Sequence, residues 1–190
     1  SRRQMLANAG LVFGIETSGV DEDEIKRSLL SERAAPQEIA EKLAELKALR
    51  VSSRRPGAMV VGGDSTLAAN GRLFDKPADI AAARKQLLAL RGQTHELFSS
   101  VVVARDGVRL WHWNERARLT MRPFTESFLD AYLSRAGESV LSSVGAYQLE
   151  NLGAHLFTRV DGDYFTILGL PLLPLLSFLA VHGIGLEQAA

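Results

Sequence analysis

The chain has 190 residues, 46% of them hydrophobic, and its 22 Lys+Arg balance 22 Asp+Glu. That length suits one domain, or two lobes sharing a sheet, with enough apolar residues for a real core. Zero net charge argues against a nucleic-acid partner, though not against a local basic pocket, and the lack of cysteine excludes disulfides, thiolate metal sites and Cys nucleophiles. No signal peptide and no run of about 18 apolar residues is visible, so a soluble cytoplasmic protein with no membrane partner is expected. The apolar stretch 167–181 contains Pro171 and Pro174 and reads as core.

In chain order, Met5, Leu6, Ala9 and Leu11 form a short helical stripe. Arg2 and Arg3 stand at its start, where positive charge opposes the helix dipole. They fit better beside a bound anion, although a solvated basic pair near a terminus is the plain alternative. Residues 11–15 read as a strand. Asp21, Glu22, Asp23 and Glu24 open a helix, where acidic residues favour the dipole. Residues 36–50 read as a helix, with Lys47 on it as an ordinary solvated side chain. A polar loop over 52–57 leads to a buried strand at 58–61.

That strand is expected to stop at Gly62-Gly63, leaving Asp64 as an exposed loop carboxylate just past its end. Such a position is where α/β proteins often put chemistry. Asn70-Gly71 is a hairpin turn that returns the chain to Arg72-Leu73-Phe74. Lys76 and Pro77 follow, the proline at a helix start. Read plainly, this is a hairpin with a solvated Asp and Lys.

Residues 78–90 read as a helix with Ile80, Ala83, Leu87 and Leu88 inward, stopped by Gly92. His95 begins a strand, where a lone histidine more often serves structure than catalysis. Asp106-Gly107 is a turn, and 108–122 is one long strand with Trp111 and Trp113 on one face. Thr125 caps a helix through Arg135, which Gly137 ends.

Several stretches together resemble the Maf family, the septum-formation-inhibitor-like nucleoside triphosphate pyrophosphatases. The family carries Gly-Ala-Asp-Thr after a strand and Lys-Pro about a dozen residues later; this chain has Gly62-Gly63-Asp64-Ser65 and Lys76-Pro77. Arg2-Arg3 matches an Arg-Arg pair, Asp21-Glu22 an Asp-Glu pair, and Leu43 to Ala48 a Leu-Ala-x-x-Lys-Ala motif. Gly145, Tyr147 and Gly153 match a later motif, in which Ser143 replaces the usual Lys and Glu150 the usual Gln. Gly162-Asp163-Tyr164 and Gly169-Leu170-Pro171 match the family's ending. The family's first strand and serine loop are missing, so 1–190 is expected to be a single domain of this type without that piece.

The resemblance implies an α/β fold: an elongated mixed twisted sheet flanked by helices, with two lobes around a nucleotide-binding cleft. It implies hydrolysis of a non-canonical or modified nucleoside triphosphate to monophosphate and pyrophosphate, a house-cleaning role tied to cell-division arrest. A divalent cation, Mg²⁺ or Mn²⁺, would be held by Glu22 and Asp64. Arg2, Arg3, Lys47 and Lys76 would cradle the phosphates, and Asp64 would be the catalytic base or a metal ligand. Ser65 and Glu150 would bear on base choice; Glu150 resembles the branch acting on 7-methylguanosine triphosphate. A homodimer is expected from Trp111 and Trp113 and from family habit. The competing expectation is a nucleotide-binding regulator of septum formation with little or no turnover.

Overall fold

The computed structural model describes residues 2–186. Five strands, β1 (Val60–Ala69), β2 (Arg72–Phe74), β3 (Thr94–Arg105), β4 (Val108–Met121) and β5 (Phe157–Asp161), hydrogen-bond in the order β2-β1-β3-β4-β5. The pairs β1/β2 and β4/β5 are antiparallel. Seven α-helices accompany them among the described residues, so the α/β expectation holds. The chain divides into two compact units, Ser1–Asp64 with Ser99–Glu115 and Gly169–Ala190, and Ser65–Phe98 with Arg116–Leu168. The outer ends of the expected 1–190 domain, residue 1 and residues 187–190, lie outside the described part.

The first unit holds α1 (Arg2–Asn8), α2 (Glu22–Ser31), α3 (Pro36–Ser52) and α7 (Leu172–Val181). Helix α2 starts where the acidic run predicts, because the Asp21 carboxylate accepts the Glu24 amide at 3.0 Å. Helix α3 starts at Pro36, and Glu38 reaches back to accept the Ala35 amide at 2.7 Å. Its buried face carries Ile39 and Leu43 in one row and Ala40, Ala44 and Ala48 in the next. Ala44 and Ala48 pack on Val102 and Ala104 of β3.

Gly62 explains why those positions are alanine. A Cβ at 62 would run into the Ala44 carbonyl, and would stand 2.8 Å from the Ala48 amide nitrogen. Helix backbone and strand backbone therefore touch directly here, which glycine opposite alanine alone permits. This corrects the expectation that the two glycines end the strand. β1 runs straight through them, and the first of them serves helix packing rather than a turn.

Residues 11–15 form no strand; Val12 is 102% and Ile15 66% exposed. A short apolar run makes a strand only where a neighbouring strand accepts its hydrogen bonds, and the described residues supply none there.

The second unit builds its own core. Leu67, Leu87, Leu90, Leu119, Met121, Leu129 and Leu156 are all essentially inaccessible. The β1–β2 hairpin turns as expected, with φ 50° at Asn70 and 74° at Gly71, the mirror-image turn that suits twisted strands. That turn sets Leu67 opposite Phe74. α4 (Ile80–Leu90) is capped by Asp79 and α5 (Glu126–Ala136) by Thr125. Ile80, expected inward, is the first residue of α4 and 38% exposed. Three short 3-10 turns between 137 and 156 and the one-turn α6 (Tyr164–Ile167) have no counterpart in the sequence pattern, since segments that short carry no apolar period.

His95 belongs to this core. Its Nε2 lies 2.8 Å from the Tyr147 hydroxyl, and its ring packs beside Tyr147 and Phe157. Burial holds its pKa down at about 4 and pushes the Tyr147 phenol up. A neutral imidazole in an aromatic box is a structural part, so the catalytic alternative for His95 falls away.

Two outcomes follow from this packing. Gly62→Val should cost roughly 1–3 kcal/mol by overpacking the α3–β1 contact, read by urea melting; an unchanged midpoint would refute the close approach. An unfolded histidine binds its proton near pH 6.5, whereas folded His95 does so only near 4, so its contribution to stability is full above pH 6.5 and lost as pH falls toward 4. His95→Gln should therefore lose roughly 2–3 kcal/mol less than the parent between pH 7 and 4.5 in paired melts. Equal losses in the two proteins would show that His95 carries no such linkage.

Candidate functional site

The close seating of α3 on β1 brings Lys47 over the strand. Its Nζ lies 2.6 Å from Asp64 Oδ1 and 2.8 Å from Glu22 Oε1. Glu22 reaches it as the first residue of α2, which the Asp21 cap fixes in register. One ammonium thus joins two carboxylates from separate elements. Asp64 is only 6% exposed and lies within β1, so it is a buried strand residue and not the exposed loop carboxylate that the glycines suggested.

A second cation closes the cluster. Arg2, on the first turn of α1, sends its Nε to the Gly169 carbonyl at 2.6 Å. Burial lowers its pKa from the ordinary value, while the charges of Asp64 and Glu22 act in the opposite sense. Two carboxylates and two cations therefore hold one another in a half-buried, self-neutralising group. Arg2, Arg3 and Lys47 also line one cavity of about 660 Å³, whose apolar walls include Leu6, Val60 and Leu179. Arg3 itself is exposed. On the rim of this cavity Glu16 is tied to Arg55 at 2.6 Å.

Chemically, such a pocket can take a polyanion. Arg2, Arg3 and Lys47 face a common space, and apolar walls keep the local dielectric low, so charge interactions there are stronger than in water. Among the described residues no group of three or more His, Cys, Asp or Glu could hold a metal unaided. Glu22 and Asp64 both contact the one Lys47 ammonium, and both are hard carboxylate ligands. Two hard oxygen ligands suit Mg²⁺ or Mn²⁺ when phosphate and water complete the shell.

The remaining expected residues belong to the second unit. Ser65 follows Asp64 on β1 and is half-buried. Lys76 is exposed in the segment between β2 and α4, ahead of the buried Pro77. Glu150 is exposed in a turn where the Asn151 amide bonds back to the Gln148 carbonyl. Structure thus assembles Arg2, Glu22, Lys47 and Asp64 as neighbours, with Arg3 beside them on the cavity wall. The Gly169 carbonyl was assigned no task by the sequence; its place in the Gly-Leu-Pro match was the signal available.

Trp111 and Trp113 stack with ring centroids 6.5 Å apart, and Trp111 stacks in turn on Phe178 of α7 at 5.0 Å. Trp111 is therefore engaged within its own unit, and Trp113, 45% exposed, is the more open of the two. No described helix is long and apolar enough to cross a membrane.

Comparison with known proteins bears on all of this. A family model described as "Maf-like protein" matches residues 1–182. A "Nucleoside triphosphate pyrophosphatase" of Paramagnetospirillum magneticum is 56% identical over 183 residues, covering 96% of this chain and 94% of that protein. One of the same name from Caulobacter vibrioides is 52% identical, covering 96% of this chain and 92% of its own length. A "7-methyl-GTP pyrophosphatase" of Brucella abortus is 48% identical over 176 residues, covering 93% and 88%. With the family model spanning nearly the whole chain and relatives near 50% identity at almost full length, this chain belongs to the Maf family.

Proposed function

We propose that this chain is a nucleoside triphosphate pyrophosphatase, cleaving the α–β phosphoanhydride to release a nucleoside monophosphate and pyrophosphate. The observation that carries it is Lys47 seated between Asp64 and Glu22 beside Arg2, on a cavity that Arg3 also lines. Near-full-length relatives that bear this activity as their name support it.

The reaction adds one water across the anhydride. Oxygen bonds to the α-phosphorus, the bond to the bridging oxygen breaks, and pyrophosphate leaves with that oxygen. The excess negative charge of three phosphates must be met by fixed positive groups. Arg2, Arg3 and Lys47 meet it in the first unit, and Lys76 is proposed to add a further charge. Asp64 either takes the proton of the attacking water or holds the cation, and both tasks are open to a carboxylate set rigidly on a strand. Glu22 and Asp64 would hold Mg²⁺ or Mn²⁺, which when bound supplies charge neutralisation at the phosphates. Lys47, already within reach of both carboxylates, keeps them oriented and offers its ammonium to a phosphate oxygen.

Base choice is assigned to Ser65 and Glu150. A 7-methylated guanine carries positive charge, which a carboxylate attracts and a neutral Gln does not. The Brucella relative named for that substrate supports placing 7-methyl-GTP in the test panel. A house-cleaning role in the cytoplasm, a homodimer using the exposed Trp113 and a link to septum formation complete the proposal.

Pyrophosphate release should be measured with UTP, dTTP, GTP and 7-methyl-GTP, with and without Mg²⁺ or Mn²⁺. Turnover with none of them would leave the regulator of septum formation as the better account. Asp64→Asn should lower turnover by about 10²–10⁴-fold. Because Asp64 is buried against Lys47, the variant should also lose about 1–2 kcal/mol of stability, so melting is run alongside. Near-parent turnover in the folded variant would remove Asp64 from the chemistry. Glu150→Gln should lower the 7-methyl-GTP to GTP ratio of kcat/KM by roughly tenfold, and an unchanged ratio would remove Glu150 as selector.

A further inference from the structure

We propose that Gln148 is a positioning residue, whose side-chain amide clasps the turn that presents Glu150. The inference rests on the base-selecting role given to Glu150 above. All the residues concerned belong to the second unit. The base of the turn is fixed by backbone. The Asn151 amide donates to the Gln148 carbonyl at 3.2 Å, and the Ala154 amide to the Asn151 carbonyl at 3.1 Å. Gly153 closes the turn, since a Cβ there would run into the Gln148 carbonyl and stand 2.9 Å from the Gln148 nitrogen. Tyr147, just before Gln148, is buried with its hydroxyl 2.8 Å from His95 Nε2. Leu149 packs against the core of the unit, and Glu150 beside it is exposed.

Side chains fasten the tip. Asn151, directly after Glu150, donates its Nδ2 to Gln148 Oε1 at 2.9 Å. Gln148 Nε2 donates in turn to Ser142 Oγ at 2.9 Å. Ser142 gives its own proton to the Ser139 carbonyl at 2.8 Å, so its oxygen is left to accept, and this decides which end of the Gln148 amide faces which neighbour. The Ser139 hydroxyl continues to the carbonyl of Ala136, the last residue of α5, at 2.7 Å. The bonds from Asn151 through Gln148 to the 3-10 turn Gly137–Ser142 all run one way, so each polarises the next. Gln148 is the link, because an amide carries a donor and an acceptor on one planar group, whereas a methionine of the same length carries no donor. A carboxylate separates a cationic base from a neutral one by an attraction that falls with distance. Gln148, acting through Asn151, sets where that carboxylate stands.

The test compares Gln148→Met, Asn151→Ala and Glu150→Gln, singly and combined. It reads kcat/KM for GTP and 7-methyl-GTP, inhibition by inorganic tripolyphosphate as a base-free probe, and melting of each variant. Gln148→Met should lower the 7-methyl-GTP to GTP ratio of kcat/KM roughly two- to fivefold. The tripolyphosphate inhibition constant should stay within about twofold of the parent, and the melting midpoint within about 2–4 °C, because the clasp is exposed. Asn151→Ala should lower the ratio to a similar degree, and the pair no further than Gln148→Met alone, since both act through one shared bond. In the Glu150→Gln background Gln148→Met should leave the ratio where it is. A full additional fall in that background would overturn the proposal, as would independent, additive effects of Gln148→Met and Asn151→Ala. A tripolyphosphate constant that rises with the change in ratio would also overturn it, by showing a general distortion. An unchanged ratio for Gln148→Met beside a lowered one for Glu150→Gln would remove the clasp and leave Glu150 standing as selector. An unchanged ratio for Glu150→Gln would overturn both.

Discussion

The first unit depends on one close approach, that of helix α3 to strand β1. Glycine at 62 and alanine at 44 and 48 let the two backbones meet without side chains between them. Lys47 lies one residue before Ala48, so its stem leaves the helix beside the strand and its ammonium lands on Asp64. A bulkier residue at 62 would lift the helix and carry the ammonium away from the carboxylate. Stability and site geometry are thus two consequences of the same packing.

The polar cluster at that junction is held by mutual neutralisation. Asp64 is too buried to stand alone as a charge, and Lys47 supplies the partner. Lys47 in turn has a second carboxylate in Glu22, and Arg2 brings the cation that balances it. Each member comes from a different element: α1, α2, α3 and β1. The bond from Arg2 to the Gly169 carbonyl reaches across 167 positions of sequence and fastens the start of the chain to the segment ahead of α7. A site assembled this way cannot be removed one residue at a time without leaving a buried charge exposed to loss.

The second unit is organised by different means. Its core is apolar, and His95, one of the polar residues buried there, is kept neutral by burial and bonded to Tyr147. Gly145 has φ 78° and lies so near Leu67 that a Cβ there would stand 2.6 Å from Leu67 Cδ1. Gly162 abuts Ala117 in the same fashion, and Asp163 caps α6 through the Thr166 amide. Several residues shared with the family in this half are therefore explained by packing and capping, with no appeal to chemistry.

Much of this was legible before the structure. Helix starts at Asp21, Pro36 and Thr125, the Asn70-Gly71 and Asp106-Gly107 turns and the long strands are local matters, decided by side chains that satisfy nearby backbone groups or tolerate positive φ. The residue types of the site were legible too, because ordered motifs at Arg2-Arg3, Glu22, Lys47 and Asp64 resemble those of one family. Three things were not. Gly62-Gly63 read as the end of a strand, since sequence shows that a side chain is absent but not whether a helix, an arginine or a bend occupies the space. Residues 11–15 are a short apolar run that reads like a strand, yet a strand needs a partner edge, and pairing is a property of the whole sheet. Asp64 read as exposed because burial is set by what packs over a residue. Lys47, Glu22 and Arg2 come to it from helices beginning 28, 42 and 62 residues earlier, a convergence that only the tertiary structure decides.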